Sequence, residues 1–180
     1  MYTCKINSPV GVLTLSSCGD SLTGLWIEGQ KYFGSTLKNS TEDIIENKSL
    51  PIFCAVEKWI MEYFAGKKPD INFPVHACGS NFRKNVWDIL CGIPYGQVIT
   101  YGDIAKQISK KIGKNSMSAQ AVGGAVGHNP ISIIIPCHRV VGADGSLTGY
   151  AGGIKVKTAL LKLENVSMEK FYVPKKGSAL

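Results

Sequence analysis

Residues 129–141 read Asn-Pro-Ile-Ser-Ile-Ile-Ile-Pro-Cys-His-Arg-Val-Val. A run of β-branched apolar residues bounded by prolines predicts a buried strand. A buried strand is a stiff mount, and this one delivers a cysteine, Cys137, beside His138 and Arg139. A thiol fixed next to an imidazole and a guanidinium is the arrangement expected where the sulfur itself reacts. Adjacent residues of a regular strand point to opposite faces. Cys137 and His138 would therefore need a break after Pro136, or a bridging water, to act together.

Around this run the chain has 180 residues, room for one or two small domains, and a 44% hydrophobic share that can bury a core. The net charge of +7 leans toward an anionic partner such as nucleic acid, though a merely basic soluble protein has the same balance. The six cysteines, Cys4, Cys18, Cys54, Cys78, Cys91 and Cys137, form no CxxC pair. The first nine residues lack a basic segment followed by an apolar one, and no run approaches the ~20 apolar residues of a membrane span. Reduced thiols and a cytoplasmic location, away from membranes, are expected. His76 and Cys78 with Cys4 and Cys18 match no standard zinc spacing, so no metal is expected. Cys54 and Cys91, on apolar helix faces, are expected in the core, as are Trp59 and Trp87.

The pattern predicts an α+β fold in two parts, divided at residues 1–78 and 79–168, with a loose tail over 169–180. Val10–Ser17 and Leu22–Glu28 predict an antiparallel hairpin. A third short strand within 29–49 and another over Ile71–Val75 would enlarge a small antiparallel sheet. Ile52, Val56, Trp59, Ile60, Tyr63 and Phe64 follow helical spacing up to Gly66. The second part is expected to be mainly helical, winged-helix-like, and to carry the reactive cysteine. Phe82, Val86, Ile89 and Leu90 share one helical face. Thr100 caps a helix through Ile108, and the four lysines of Lys106–Lys114 suggest a solvated loop. Ser116 or Ser118 opens the next helix, ended by Gly127, and a last one covers Lys155–Glu164. Two short helices joined by a turn suggest a helix-turn-helix.

The second of that pair, Ser-Ala-Gln-Ala-Val-Gly-Gly-Ala-Val-Gly over 118–127, is unusual. Recognition helices read the major groove with Arg, Lys, Asn or Gln, and here only Gln120 qualifies. Glycine inside a helix costs about 1 kcal/mol relative to alanine. Close packing on a neighbouring element would explain the glycines. So would close backbone approach to a surface such as the minor groove, with N-terminal amides on phosphate and the lysine loop adding charge.

Pro136-Cys137-His138-Arg139-Val140 resembles the signature of the 6-O-alkylguanine–DNA alkyltransferases, the methylated-DNA–protein-cysteine methyltransferases. Ile93-Pro94-Tyr95-Gly96-Gln97-Val98, Thr100-Tyr101-Gly102, Ala121-Val122-Gly123, Asn129-Pro130, Gly149-Tyr150-Ala151-Gly152-Gly153 and Glu164 follow in that family's order. The likeness spans most of 80–165. It is weaker in the N-terminal part, through Ser8-Pro9-Val10-Gly11 and the hairpin. It implies DNA repair: an alkylated guanine is flipped from duplex DNA and its alkyl group moves to Cys137. It also implies that His138 acts as base through a water, that Glu164 polarises His138 and that Asn129 braces the active-site turn. Tyr101 would contact the base or a flanking phosphate. Val140, Tyr150 and Ala151 would line the pocket, and the helix of Gln120 and Ala121 would enter the minor groove. Gln120 stands where the family commonly has an arginine that replaces the flipped base; it lacks that residue's charge and planar cation. Arg139 would hold a phosphate or the active-site loop.

Physically, alkyl transfer needs the thiolate, whereas a thiol near pKa 8.5 is mostly protonated at neutral pH. The product would be a thioether, and nothing nearby suggests a group that cleaves it. One turnover per molecule is expected, with no cofactor, by a monomer. Two rivals stay open on the residues alone. One is a cysteine hydrolase or thiol transferase, which sustained turnover would reveal. The other is a non-catalytic lesion-binding or regulatory helix-turn-helix protein, against which the presence of Cys137 argues.

Overall fold

The computed structural model describes residues 1–37 and 43–174. The chain separates into two compact units, one made of 1–78 with 130–132, the other of 79–129 with 133–180.

The first unit holds a four-stranded sheet in the order β3-β2-β1-β4, with β1 at Tyr2–Ser8, β2 at Gly11–Ser17, β3 at Leu22–Ile27 and β4 at Ile45–Glu46. The hairpin expected from the sequence is β2–β3. β1 adds a strand that the sequence reading left out. Its alternation is short, with Cys4 and Ile6 inward and Lys5 and Asn7 outward. The sheet is mixed rather than antiparallel, a correction to the expectation. After β3 the chain travels to the opposite edge and pairs β4 parallel to β1, Tyr2 opposite Ile45. Ile71–Val75 does not form a strand and contributes only a bridge from Val75 to Leu22. Helix α1, Pro51–Phe64, starts with proline where no backbone donor is needed and buries Ile52, Phe53, Val56, Trp59, Ile60 and Tyr63. Cys54 lies off that stripe and is exposed, against expectation.

The second unit packs α2 (Asn81–Cys91), α3 (Tyr101–Lys111) and α4 (Ala119–Gly127) together, followed by α5 (Ile154–Leu163). Ser80, Thr100 and Ser118 cap the first three through side-chain oxygens that accept backbone N–H bonds. Helix α3 runs through Lys111, so part of the expected lysine loop is helical, with Lys110 and Lys111 in its last turn, where cations suit the helix dipole. Cys91 follows Leu90 one position round the helix from the buried Val86–Leu90 stripe and is exposed, again unlike the expectation. Trp87 is buried and its indole N–H donates to the Ala125 carbonyl at 2.9 Å.

The buried strand expected in the apolar run between Pro130 and Pro136 is absent. Ile131 makes a single bridge with Leu25 inside the first unit, and Ile133 sits at φ 71°, in the left-handed region. A β-branched residue there costs on the order of 1–3 kcal/mol and turns the chain sharply. Cys137–Arg139 then form one 3-10 turn, and only β6, Val140–Val141, is extended. Strand β6 pairs in parallel with β5, Ile99–Thr100. Residues 167–174 are attached rather than loose: Met168 and Phe171 pack on Val141, Leu147, Leu161 and Val166, and Leu147 N–H donates to the Tyr172 carbonyl at 2.9 Å. The rest of the expected tail, 175–180, lies outside the described residues.

Candidate functional site

The 3-10 turn supplies the break after Pro136, so Cys137 and His138 project from a turn and not from opposite faces of a strand. Both are buried, His138 completely. Asn129, two residues past the end of α4, is buried beside them. Its side-chain amide donates to the Ile135 carbonyl at 2.8 Å and to the Cys137 sulfur at 3.0 Å. That amide ties the sulfur to the chain just before the turn. Burial pushes the Cys137 thiol up, while the Asn129 amide and the charge of Lys157 work the other way.

Donors from several parts of the fold converge on Glu164, the residue that closes α5. His138 Nε2 lies 2.7 Å from its Oε1, Arg139 Nε 2.8 Å from Oε2, Arg139 Nη2 2.9 Å from Oε1, and the Gly96 N–H 3.2 Å from Oε2. Burial alone would raise this carboxyl, but the His138 and Arg139 hydrogen bonds hold it well below the usual carboxylate range. Burial depresses His138 despite Glu164, favouring the neutral ring. An ionised Glu164 then fixes the imidazole proton on Nε2 and leaves the basic lone pair on Nδ1.

Arg139 does not reach outward. Besides its fork on Glu164, its Nη1 donates to the Ile93 carbonyl at 2.6 Å and its guanidinium lies 5.8 Å from the centre of the Tyr95 ring. Of the two roles expected for it, these contacts are those of the loop clamp. This clamp also explains Ile93–Val98. Gly96 adopts φ 78° and a Cβ there would sit 2.8 Å from the Glu164 carbonyl, so only glycine lets the loop close over Glu164.

Tyr101 opens α3 directly after β5, and its hydroxyl lies 3.2 Å from the carbonyls of both Thr148 and Gly149. Val140 and Tyr150 are buried and Ala151 is half-buried. The Tyr150 ring meets His138 edge-on at 6.4 Å, and its hydroxyl has no hydrogen-bond partner among the described residues. Gln120 and Ala121 lie apart from this cluster, exposed in the first turn of α4, where their N–H groups are capped by Ser118 Oγ. No cluster of three or more potential metal ligands occurs among the described residues.

The sequence reading passed over Lys157. It is fully buried inside α5, and its ammonium donates to the carbonyls of Val140 at 2.5 Å and Thr148 at 2.7 Å. Its spacing of three and four from Leu160 and Leu161 places it on the apolar face, the one signal that could have singled it out.

A family profile described as the DNA binding domain of 6-O-methylguanine DNA methyltransferase matches residues 81–166, and its ribonuclease-like domain matches 1–77. The chain belongs to the 6-O-methylguanine DNA methyltransferase family. Among curated relatives, a methylated-DNA–protein-cysteine methyltransferase of Mycobacterium bovis is 42% identical over 159 residues, covering 88% of this chain and 89% of its own. The Haemophilus influenzae protein of the same name is 38% identical over 167 residues, covering 92% and 87%. Among solved structures, Mycobacterium tuberculosis OGT in complex with DNA matches with a TM-score of 0.77 at 40% identity, covering 91% of this chain and 92% of that one. Against the family's motifs, the structure turns a string of matches into one assembly. Glu164 gathers Gly96, His138 and Arg139, and Asn129 holds the sulfur.

Proposed function

We propose that this protein repairs duplex DNA by moving a methyl or larger alkyl group from the O6 position of guanine to Cys137, once per molecule. The observation that carries this reading is the Cys137 sulfur held by Asn129 beside the Glu164–His138 pair, in a chain of this family. His138 Nδ1 takes the thiol proton through a water, and Glu164 steadies the imidazolium that results. The thiolate attacks the alkyl carbon, the sulfur–carbon bond forms, the carbon–oxygen bond breaks, and guanine leaves with the electron pair. Val140, Tyr150 and Ala151 line the pocket for the flipped base, and Tyr101 touches the base or its phosphate. Helix α4, led by Gln120 and Ala121, lies in the minor groove. Extrusion costs a few kcal/mol and is cheapest for a poorly paired, damaged base, which favours lesions without sequence readout. The protein works as a monomer in the cytoplasm, without cofactor. No helix among the described residues is long and apolar enough to cross a membrane.

Intact mass spectrometry after incubation with a methylguanine duplex tests the reading. A gain of one methyl group, mapped to the Cys137 peptide and absent in Cys137→Ala, is expected. Repeated turnover would point to a hydrolase or thiol transferase. Lesion binding with no adduct would leave a non-catalytic binding module. Either result overturns the proposal.

A further inference from the structure

Gln30 is a buried polar residue of the first unit that the chemistry above does not use. It follows β3, where Gly29 at φ 79° turns the chain back. Its side-chain oxygen accepts from the Ile27 N–H at 2.8 Å and from the Ser132 hydroxyl at 3.0 Å. The first bond is local and satisfies a buried amide. The second joins residues 102 apart in the chain. Ser132 is itself buried, and it ends the short piece Pro130–Ser132 that lies along the edge strand β3. There the Leu25 N–H donates to the Pro130 carbonyl at 2.9 Å, and the Ser132 N–H to the Leu25 carbonyl at 2.8 Å. Three residues in parallel register, one of them a proline without an N–H, pair weakly. The Gln30 carboxamide adds a side-chain lock on the last of them.

The locked piece lies between Asn129 and Ile133 in the chain. Asn129 sends its amide forward to the Ile135 carbonyl and the Cys137 sulfur. Ile133, at φ 71°, turns the chain sharply, and a β-branched residue in that region persists only where its surroundings over-determine it. Ser132, one residue earlier, is fixed through both its backbone and its hydroxyl. With Ser132 released, Ile133 could relax toward extended backbone, and the Asn129 amide would lose its reach to the sulfur. We propose that Gln30 is a positioning residue for alkyl transfer: by holding Ser132 on β3, its carboxamide fixes the turn at Ile133 and with it the Asn129–Cys137 hydrogen bond. The lock lies wholly inside the first unit and acts on the sulfur through the chain itself. The proposal rests on the alkyl-transfer reading and adds a task for the first unit, which is to set the nucleophile. The electrostatics agree in direction, since the Asn129 amide draws the Cys137 thiol down against its burial.

Ser132→Ala removes the hydroxyl and leaves the Gln30–Ile27 bond in place. Gln30→Met keeps the length of the side chain and removes the acceptor. The measurement is the rate of Cys137 methylation by methyl iodide against pH in the full DNA-free chain, followed on the Cys137 peptide because four other cysteines are exposed. The ionisable groups around the sulfur are Tyr101 from α3, Tyr150 from its loop and Lys157 from α5, with His138, Arg139 and Glu164 of the cluster. Neither substitution removes any of them. A weakened Asn129 bond should move the profile midpoint up by about half a unit and cut the rate at pH 7 about threefold. The double variant should move it no further than Gln30→Met alone, because both changes break one bond. In the same variants the Asn129 side-chain N–H signals, read by nitrogen NMR, should shift and exchange faster with water. An unmoved midpoint in either folded variant overturns the proposal, and so does a moved midpoint with unchanged Asn129 signals. Failure of both single variants to fold would make the lock a requirement of the fold and not of the site, which overturns it as well. Neither measurement uses DNA, so failure of the repair reading in the duplex assay remains a separate result.

Discussion

At the scale of the residue, Glu164 is the hinge of the site. It is buried, it orders His138, and it neutralises Arg139. Removing one partner of a buried ion pair costs about 3–5 kcal/mol, because the other charge is left uncompensated. Glu164→Gln keeps the shape and loses the charge, so it should destabilise the protein by about 3 kcal/mol in urea titrations. It should also slow single-turnover transfer by about a hundredfold through loss of the polarised base. A variant of parental stability and rate would mean that Glu164 is not ionised in the fold. The residues of this cluster were unequally legible. Cys137 stood out by its neighbours, whereas Glu164 and Asn129 came from family resemblance and not from any periodicity. Lys157 was hidden for a physical reason: whether a lysine is buried is decided by acceptors distant in sequence, here Val140 and Thr148.

At the scale of the element, α4 resolves a question its glycines raised. A Cβ on Gly123 would meet the Tyr101 ring at 3.9 Å, which is ordinary contact, and one on Gly124 would meet nothing within 4 Å. Packing inside the molecule therefore does not demand glycine at 124. Gly124→Ala should stabilise the fold by about 0.5–1 kcal/mol through helix propensity. If the helix backbone approaches DNA closely, the same change should weaken duplex binding several-fold in a fluorescence anisotropy titration. Greater stability with unchanged affinity would remove α4 from the interface. Gln120, exposed in the first turn of the same helix, offers the converse test. Gln120→Arg adds a cation and a planar stacking group, and should speed transfer on duplex lesions more than on single strands. Equal effects on both substrates would separate this position from base extrusion. The helix ends themselves were readable, because Thr100 and Ser118 act on donors within three residues. The strand expected between Pro130 and Pro136 was not. Its Ile-rich composition satisfies strand propensity, but the left-handed Ile133 and the turn at Cys137 are imposed by contacts beyond the local sequence.

At the scale of the whole molecule, the first unit takes back residues 130–132 from between two stretches of the second, and nothing in the local sequence announces it. Such an insertion leaves no local signature, since Ile131 pairs with Leu25 across a hundred residues of chain. The division also distributes the acid-sensitive groups unevenly. His138 and Glu164, both depressed by their surroundings, belong to the second unit. A group whose folded pKa lies below its unfolded value stabilises the fold above the unfolded pKa and loses that contribution as pH falls through the folded one. Stability should therefore decline below about pH 6.5 as His138 is forced to charge, and again below about pH 4.5 as Glu164 takes up its proton. Trp87 reports on the second unit, and Trp26 and Trp59 on the first. A variant carrying Trp26→Phe and Trp59→Phe leaves Trp87 as the sole indole. Its urea midpoint should fall steadily from pH 7 to pH 4, and adding Glu164→Gln should flatten the part below pH 4.5. A midpoint that stays level from pH 7 to pH 5 would show that His138 is already charged in the fold. Nδ1 would then not be a base, and the proton of Cys137 would have to leave by another route.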